Sequence, residues 1–302
     1  MITFKNRNRF LNPSTLFFEG KELNYASNPL IIKITEQINR LFFNSRDENN
    51  RSSIYSIDLL GEDFATISDS IRLQHAFGQA NSFYSHGISI GNSFKLGEKN
   101  YISIMGWKNN PGEHWSGRIG KVEVDSNSDL MRIDEKVWFD LDEEDPISLS
   151  YPAIYQEGTT LSMWYGSTVT WDSGNGEMLH ILKEKRSKDG INFISSTSVI
   201  PFKMDQAQAF SRPSIVNYNN RNLMAYSYRG SNDKYKIGFV WLDDFSTATQ
   251  VGGIPPFLPS RENWENEMVE YPSLFVRNKK LFMLYNGNDY GKTGIGITEI
   301  TI

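Results

Sequence analysis

A repeated couplet of strand-like runs restricts this chain to a stacked β architecture. The clearest copies are Ser211-Arg-Pro-Ser-Ile-Val with Asn222-Leu-Met-Ala-Tyr-Ser, and Glu270-Tyr-Pro-Ser-Leu-Phe with Lys280-Leu-Phe-Met-Leu-Tyr; Pro213 and Pro272 lie 59 residues apart. Ser150-Tyr-Pro-Ala-Ile-Tyr with Thr160-Leu-Ser-Met-Trp-Tyr precedes them, 61 residues before Pro213 when counted from Pro152. Two weaker copies are Ser27-Asn-Pro-Leu-Ile-Ile with Arg40-Leu-Phe-Phe-Asn, and Ser85-His-Gly-Ile-Ser-Ile with Asn100-Tyr-Ile-Ser-Ile-Met. A period this regular is the mark of one supersecondary unit used about five times.

Within each copy an apolar or alternating run breaks at Asn, Gly or Lys and then resumes, which reads as a β-hairpin. Third strands follow in Tyr235-Lys-Ile-Gly-Phe-Val-Trp and Thr293-Gly-Ile-Gly-Ile-Thr, and the remaining stretch can supply a fourth. Four strands per repeat make a propeller blade. No segment of ten or more residues carries a 3.6-residue apolar stripe, which argues against a helical solenoid. The expectation is an all-β, five-bladed β-propeller occupying 1–302 as a single domain. Closure into a ring buries the faces of each twisted blade against two neighbours and leaves only short edges. The segment from Ile2 to Phe18 precedes the first copy and is expected to pair with the last blade.

The formal net charge of −5, the isoelectric point near 5.5 and the lack of a Lys/Arg run argue against a nucleic-acid polymer or an acidic membrane surface as partner. No apolar run approaches transmembrane length, and Lys5, Arg7 and Arg9 are not followed by the apolar core of a signal peptide. The expectation is a cytoplasmic protein without membrane insertion. Zero cysteines exclude disulfides, thiol catalysis and zinc–thiolate sites. The four histidines show no His-X-X-X-His spacing, so neither a metal site nor a cofactor is expected.

The residue-X-Pro strand starts, the second strand containing Met163-Trp-Tyr, and the turn Arg186-Ser-Lys-Asp-Gly-Ile-Asn-Phe193 resemble the five-bladed propellers of glycoside hydrolase families 43 and 32 and the related mannoside phosphorylases. A closer resemblance is to a glycosidase-like set common in bacterial surface-polysaccharide gene clusters. It is carried by Ser227-Tyr-Arg-Gly230, Trp264-Glu-Asn-Glu-Met268, Glu270-Tyr-Pro272, and Leu284-Tyr-Asn-Gly-Asn288 with Gly294-Ile-Gly296. The resemblance covers essentially the whole chain. It implies a fold specifically and an activity only loosely, because one fold hosts many chemistries.

In such propellers the residues just before each proline face a central funnel, and the families place an Asp there in the first blade and a Glu general acid in a later one. Asn28 stands at the first-blade position here, and an amide can neither accept a proton nor attack carbon as a carboxylate does, so two-carboxylate hydrolysis is in doubt. Glu270, two before Pro272, matches the general-acid position, with Glu267 as the other candidate; Glu265 and Glu267 share a parity that Glu270 does not, so only one set can line the funnel. The alternative for each is a solvated Glu. His86 takes the matching place in the second unit, as proton shuttle or hydroxyl ligand. A histidine bonded within its turn is the competing reading.

If Arg46, Arg212, which shares the inward register, and Arg229 all reach the funnel, they form an anion clamp of bidentate donors; the alternative, stronger for Arg46 and Arg229 than for Arg212, is a surface or structural ion pair. His180 is a mid-strand candidate that could also face the centre. Trp171 with Asp172, and Trp264 beside Glu265, are the expected stacking platforms, although most propeller tryptophans are inter-blade core. Tyr271, and Asn286 and Asn288 around Gly287, complete the expected substrate contacts, with an ordinary Asn-Gly-Asn turn as the alternative. The expected function is cleavage or transfer of a glycosyl group of an anionic sugar, such as a sugar phosphate, nucleotide-sugar or acidic glycan, in surface-polysaccharide metabolism. One carboxylate with an anion clamp suits transfer or phosphorolysis. The alternative is a silent propeller that binds saccharide or scaffolds biosynthetic enzymes. Nothing in the sequence specifies the sugar, the linkage or the oligomeric state.

Overall fold

The computed structural model describes residues 2–61, 64, 66–130, 133, 136–242 and 254–302, which are almost entirely β. Strand β1 (Thr3–Leu11) and a small hairpin of β2 (Phe17–Phe18) and β3 (Lys21–Glu22) lead into a succession of antiparallel meanders. The first comprises β4 (Ser27–Lys33), β5 (Ile38–Arg46) and β6 (Ser52–Leu60), with short β7 (Thr66–Ile67) and β8 (Arg72–His75) on its outer edge. The second comprises β9 (Gly87–Leu96), β10 (Lys99–Lys108) and β11 (Ser116–Val124), with Phe139 bridged to Ile119 outside them. β12 (Leu149–Glu157), β13 (Thr160–Thr170), β14 (Leu179–Ser187) and β15 (Ile194–Val199) form the third. β16 (Ala209–Tyr218), β17 (Arg221–Arg229) and β18 (Lys236–Trp241) form the fourth. The last, β19 (Glu270–Arg277), β20 (Lys280–Asn286) and β21 (Ile295–Thr301), takes β1 as its outermost strand, from Thr3 opposite Thr301 to Leu11 opposite Ile295.

The first strands touch in sequence, β4 to β9, β9 to β12, β12 to β16 and β16 to β19, and β19 returns to β4. Apolar cores fill the spaces between successive sheets, because both faces of the middle strands are covered. On β5, Leu41 and Phe43 face Leu284 and Ile295 of the last meander, whereas Phe42 points the other way, onto Ile88, Ile102 and Ile104 of the second. That is the period-two alternation of a strand buried on both sides. Full burial of each such side chain stabilises by about 1.5–3 kcal/mol.

One charged contact fastens the N-terminal strand. Arg7 of β1 donates from Nε and Nη2 to the carboxylate of Glu265 at 2.6 and 2.7 Å, and its guanidinium lies 4.1 Å from the centre of the Phe257 ring. Glu265 is fully buried and also accepts from Ser260 Oγ and Tyr285 OH, so its place is structural. Arg7→Met would strand that buried carboxylate, and a loss of roughly 3–5 kcal/mol is expected in equilibrium denaturation. Adding Glu265→Gln should restore most of it, a coupling that a double-mutant cycle measures.

Candidate functional site

The sequence repeat becomes geometry at the prolines. Asn28, Tyr151, Arg212 and Tyr271, each directly before a proline, adopt φ values of +50°, +36°, +43° and +54°. Each coincides with a register slip between the first and second strands of its meander. A left-handed non-glycine residue costs roughly 1–2 kcal/mol, and a bulge re-aims the side chains beside it. The result is convergence at the hub. The Tyr151 and Tyr271 rings come within 5.0 Å of each other, although 120 residues separate them.

Arg212 lies in this register but does not bind at the cavity, contrary to expectation. Its guanidinium is buried and donates from Nε to the Ile90 carbonyl, from Nη1 to those of Tyr271 and Pro272, and from Nη2 to that of Pro29. Burial lowers its pKa to about 10, so it stays charged at neutral pH. The bulges leave strand carbonyls facing the hub, and a forked donor satisfies several of them at once.

Above Arg212 opens a cavity of about 290 Å³. Trp107, Trp115, Tyr151, Tyr235, Tyr271 and Tyr290 give it an aromatic wall, and Arg46 and Arg229 bring two guanidinium groups. Ser89, Ser150 and Ser211, from three different first strands, offer hydroxyls. Arg229 is paired with Glu177, at 2.7 Å from Nε and 3.1 Å from Nη2, and lies 4.7 Å from the centre of the Tyr235 ring. Burial works against its charge, but Tyr235, Tyr290 and Glu177 together hold its pKa above the ordinary value. Arg46 donates to Asn50 Oδ1 at 2.9 Å and has no carboxylate within ion-pair distance among the described residues. Burial keeps Tyr235, Tyr271 and Tyr290 protonated.

His180 reaches the cavity as expected, but as a neutral group. It is buried, with Nε2 2.6 Å from Ser150 Oγ and Nδ1 2.8 Å from Thr168 Oγ1, and burial lowers its pKa to about 4.

Behind Tyr271 sits a set of buried polar groups with unmet hydrogen-bonding capacity. Asn286 accepts the backbone N–H of Asn28 at 3.1 Å, yet Asn286 Nδ2, Asn28 Oδ1 and both carboxylate oxygens of Glu270 lack a hydrogen-bond partner of good geometry. Glu270 is fully buried. Burial drives its pKa well above the ordinary carboxylate value; Arg46, Arg229 and the nearby Asn286 amide pull it down without cancelling that effect, and Asp289 adds to it. Burial so complete favours the protonated form of this carboxyl.

Several expected contacts do not assemble here. Glu267 is exposed, and its recorded contact is a backbone N–H donated to Asn288, because the strand that fixes parity begins only at Glu270. Asn288 locks the preceding loop: it accepts from the N–H groups of Glu267 and Met268 and donates to the Asn263 carbonyl and to Asn266. Trp264 belongs to the core, stacked on Tyr285. Asp172 is exposed and caps Gly174. Trp171 stays outside the cavity lining but stacks on His114 at 4.7 Å and meets cavity-lining Trp115 edge-on at 4.9 Å. His86 precedes β9 and does not line the cavity; its ring sits 6.2 Å from that of Trp107. Tyr151 and Ser150 could have been nominated from the proline repeat. Nothing local in the sequence marks Tyr235, Tyr290 or Glu177.

No family model matches the chain. "Uncharacterized protein Rv1502" and "Uncharacterized protein MT1551", from Mycobacterium tuberculosis strains ATCC 25618 / H37Rv and CDC 1551 / Oshkosh, are each 31% identical over 293 residues, spanning 94% of this chain and 97% of their own length. The chain belongs to their family. Among solved structures, a protein described as "Glycoside hydrolase" aligns with a TM-score of 0.68 at 11% identity, over 97% of this chain and 92% of its own. The alpha-L-arabinofuranosidase of Lactobacillus brevis gives 0.63 at 12% identity, covering 91% of this chain and 90% of its own. The endo-arabinase of Bacteroides thetaiotaomicron VPI-5482 gives 0.61 at 14% identity, covering 98% of each. This relative of the mycobacterial proteins therefore has the β-propeller fold of glycoside hydrolases, as the proline repeat predicts.

Two outcomes follow from the hub. Arg212→Met should cost roughly 3–5 kcal/mol in denaturant titration, since it removes four bonds to buried carbonyls. For Glu270 the folded state binds more protons than the unfolded one above the ordinary value of 4.5. Stability should therefore fall as pH rises from that value toward the raised one, by up to about 1.4 kcal/mol per pH unit. Glu270→Gln should abolish that slope.

Proposed function

We propose that the chain is one five-bladed domain over 1–302 whose central cavity binds a sugar with an anionic substituent and transfers or cleaves its glycosyl group. The observation that carries this reading is Glu270: a fully buried carboxyl without hydrogen-bond partners, next in sequence to cavity-lining Tyr271. A carboxylic acid kept protonated at neutral pH is what protonation of a departing glycosidic oxygen requires. The aromatic wall offers faces for the C–H surface of a sugar ring, and Ser150 with neutral His180 offers hydroxyl contacts. Arg46 and Arg229 supply the positive edge.

Among the described residues no second buried carboxylate accompanies Glu270: Asn286 is the nearby amide, Asp289 is exposed on its turn, and Glu177 is committed to Arg229. That favours attack by an incoming group, a hydroxyl or a phosphate, over water activated by an enzyme carboxylate. The C–O bond to the leaving group breaks as Glu270 gives that oxygen its proton, the incoming oxygen bonds to the anomeric carbon, and the proton it carried as a hydroxyl or hydrogen phosphate is released and restores the Glu270 acid. A setting in cytoplasmic surface-polysaccharide metabolism rests on the sequence resemblance. The amide at position 28 favours a second reading, saccharide binding without turnover.

Glu270→Gln decides between them. Assayed against a panel of glycosyl phosphates, nucleotide-sugars, uronides and phosphodiester-bearing glycosides with sugar or phosphate acceptors, the wild type should turn over at least one donor, and the variant should be slower by about 10²–10⁴ with affinity little changed. Equal rates in the two proteins would overturn the catalytic reading, and saccharide binding with no turnover by the wild type would establish the other.

A further inference from the structure

The cavity holds two arginines, but they are not equivalent. Arg229 is engaged side-on by Glu177 through two nitrogens, so that pair carries no net charge. Arg46 has no carboxylate within ion-pair distance among the described residues, and its planar group lies between the Tyr25 and Tyr290 rings, 5.6 and 5.9 Å from their centres. Arg212 adds to the positive field, but its donors are spent on four backbone carbonyls and it does not line the cavity. His180 is neutral between two hydroxyls. Glu270 is fully buried with neither oxygen hydrogen-bonded, which favours its uncharged form even though Arg46 and Arg229 pull toward the carboxylate. Asp289 is exposed on the tight turn that carries Tyr290.

Among the described residues, one cation thus faces the interior without an ion-pair partner, about 290 Å³ is open to a ligand, and the lining also presents hydroxyls and indole. Binding sites for drug-sized molecules span about 300–1,000 Å³, so this one sits at the low end, fit for a single ring with one substituent. A pyrophosphate would bring two charges to one free guanidinium, leaving the second desolvated without a partner, and its nucleoside would overfill the space. Buried unpaired charge is strongly disfavoured.

Resting on the proposed function, we infer that the ligand is a single sugar unit bearing one negative charge, a carboxylate or a phosphodiester, bound with that charge on Arg46 and its ring against the aromatic wall. Dianionic sugar phosphates and nucleotide-sugars are discriminated against. Tyr290, whose hydroxyl lies 3.4 Å from Arg229 Nη1 and whose ring faces Arg46, bridges the two guanidinium groups and orients the anion between them.

The test is equilibrium calorimetry at pH 7 on the intact chain. Its probes are the methyl glycosides of glucuronic and galacturonic acid, the matching neutral methyl hexosides, a hexose methyl phosphodiester, a hexose 1-phosphate and a uridine diphosphate hexose. At least one monoanionic probe should bind tenfold or more tighter than its neutral counterpart and than both more highly charged ligands; the uronide and phosphodiester arms show which monoanion is preferred. Arg46→Gln should reduce the charged-over-neutral preference to within about twofold, and Arg46→Lys should keep part of it. Arg46 is partly exposed, so both variants should retain the wild-type melting temperature. Tighter binding of the 1-phosphate or nucleotide-sugar, no measurable affinity for either monoanion, or an unchanged preference in Arg46→Gln would overturn the inference. Because these are affinities, they are independent of whether Glu270→Gln alters turnover. A monoanion-selective protein with no catalysis would sink the enzymatic reading and leave the ligand class standing.

Discussion

Everything at the centre of this molecule is arranged around one guanidinium. Arg212 of the fourth meander holds carbonyls from β4, β9 and β19, so first strands that are remote in sequence meet at a single charge. The inter-sheet cores supply most of the burial but are non-directional, and apolar sheets can slide over one another. A forked donor fixed on four carbonyls cannot follow such a slide. The hub is consequently registered by hydrogen bonds while the rim is held by hydrophobic contact, and the cavity sits directly on the registered part.

The strain stored at the same place has a use. Four residues before prolines occupy left-handed backbone regions, each at a real cost, and the gain is that side chains at the bulges point to one axis. Two of them, Tyr151 and Tyr271, become the cavity wall, one becomes the hub, and Asn28 joins the unsatisfied polar set with Asn286 and Glu270. Burial without full satisfaction is what separates Glu270 from Glu265. Both are fully buried, but Glu265 is matched by Arg7, Ser260 and Tyr285, whereas Glu270 is matched by nothing of good geometry. The first is a clasp; the second is left with unmet hydrogen-bonding capacity.

Much of the fold was legible because proline and strand alternation are local signals: the proline within four of the five first strands and the hairpins follow from them. The candidate site was legible where the repeat itself pointed, at Asn28, Glu270 and Tyr271, at strand ends such as Arg46 and Arg229, and at inward-facing His180 of β14. The sequence shows Arg212 as a donor in the inward register but not the carbonyls that consume it. Glu267 was nominated from an alternation that starts three residues later, and Trp264 and Asn288 turn inward to pack and to lock a loop. The role of Glu265 was hidden by 258 residues of separation from Arg7, and Glu177 by its place in a turn that meets Arg229 only in three dimensions.

The hub is expected to keep Glu270 as a neutral acid behind the Tyr271 wall of a cationic, aromatic cavity. Infrared difference spectroscopy between the wild type and Glu270→Gln at pH 7 measures this directly. The account predicts a protonated carboxyl carbonyl band in the wild type that is missing from the variant and persists when the pH is raised above neutrality. A carboxylate band in its place at pH 7 would contradict it.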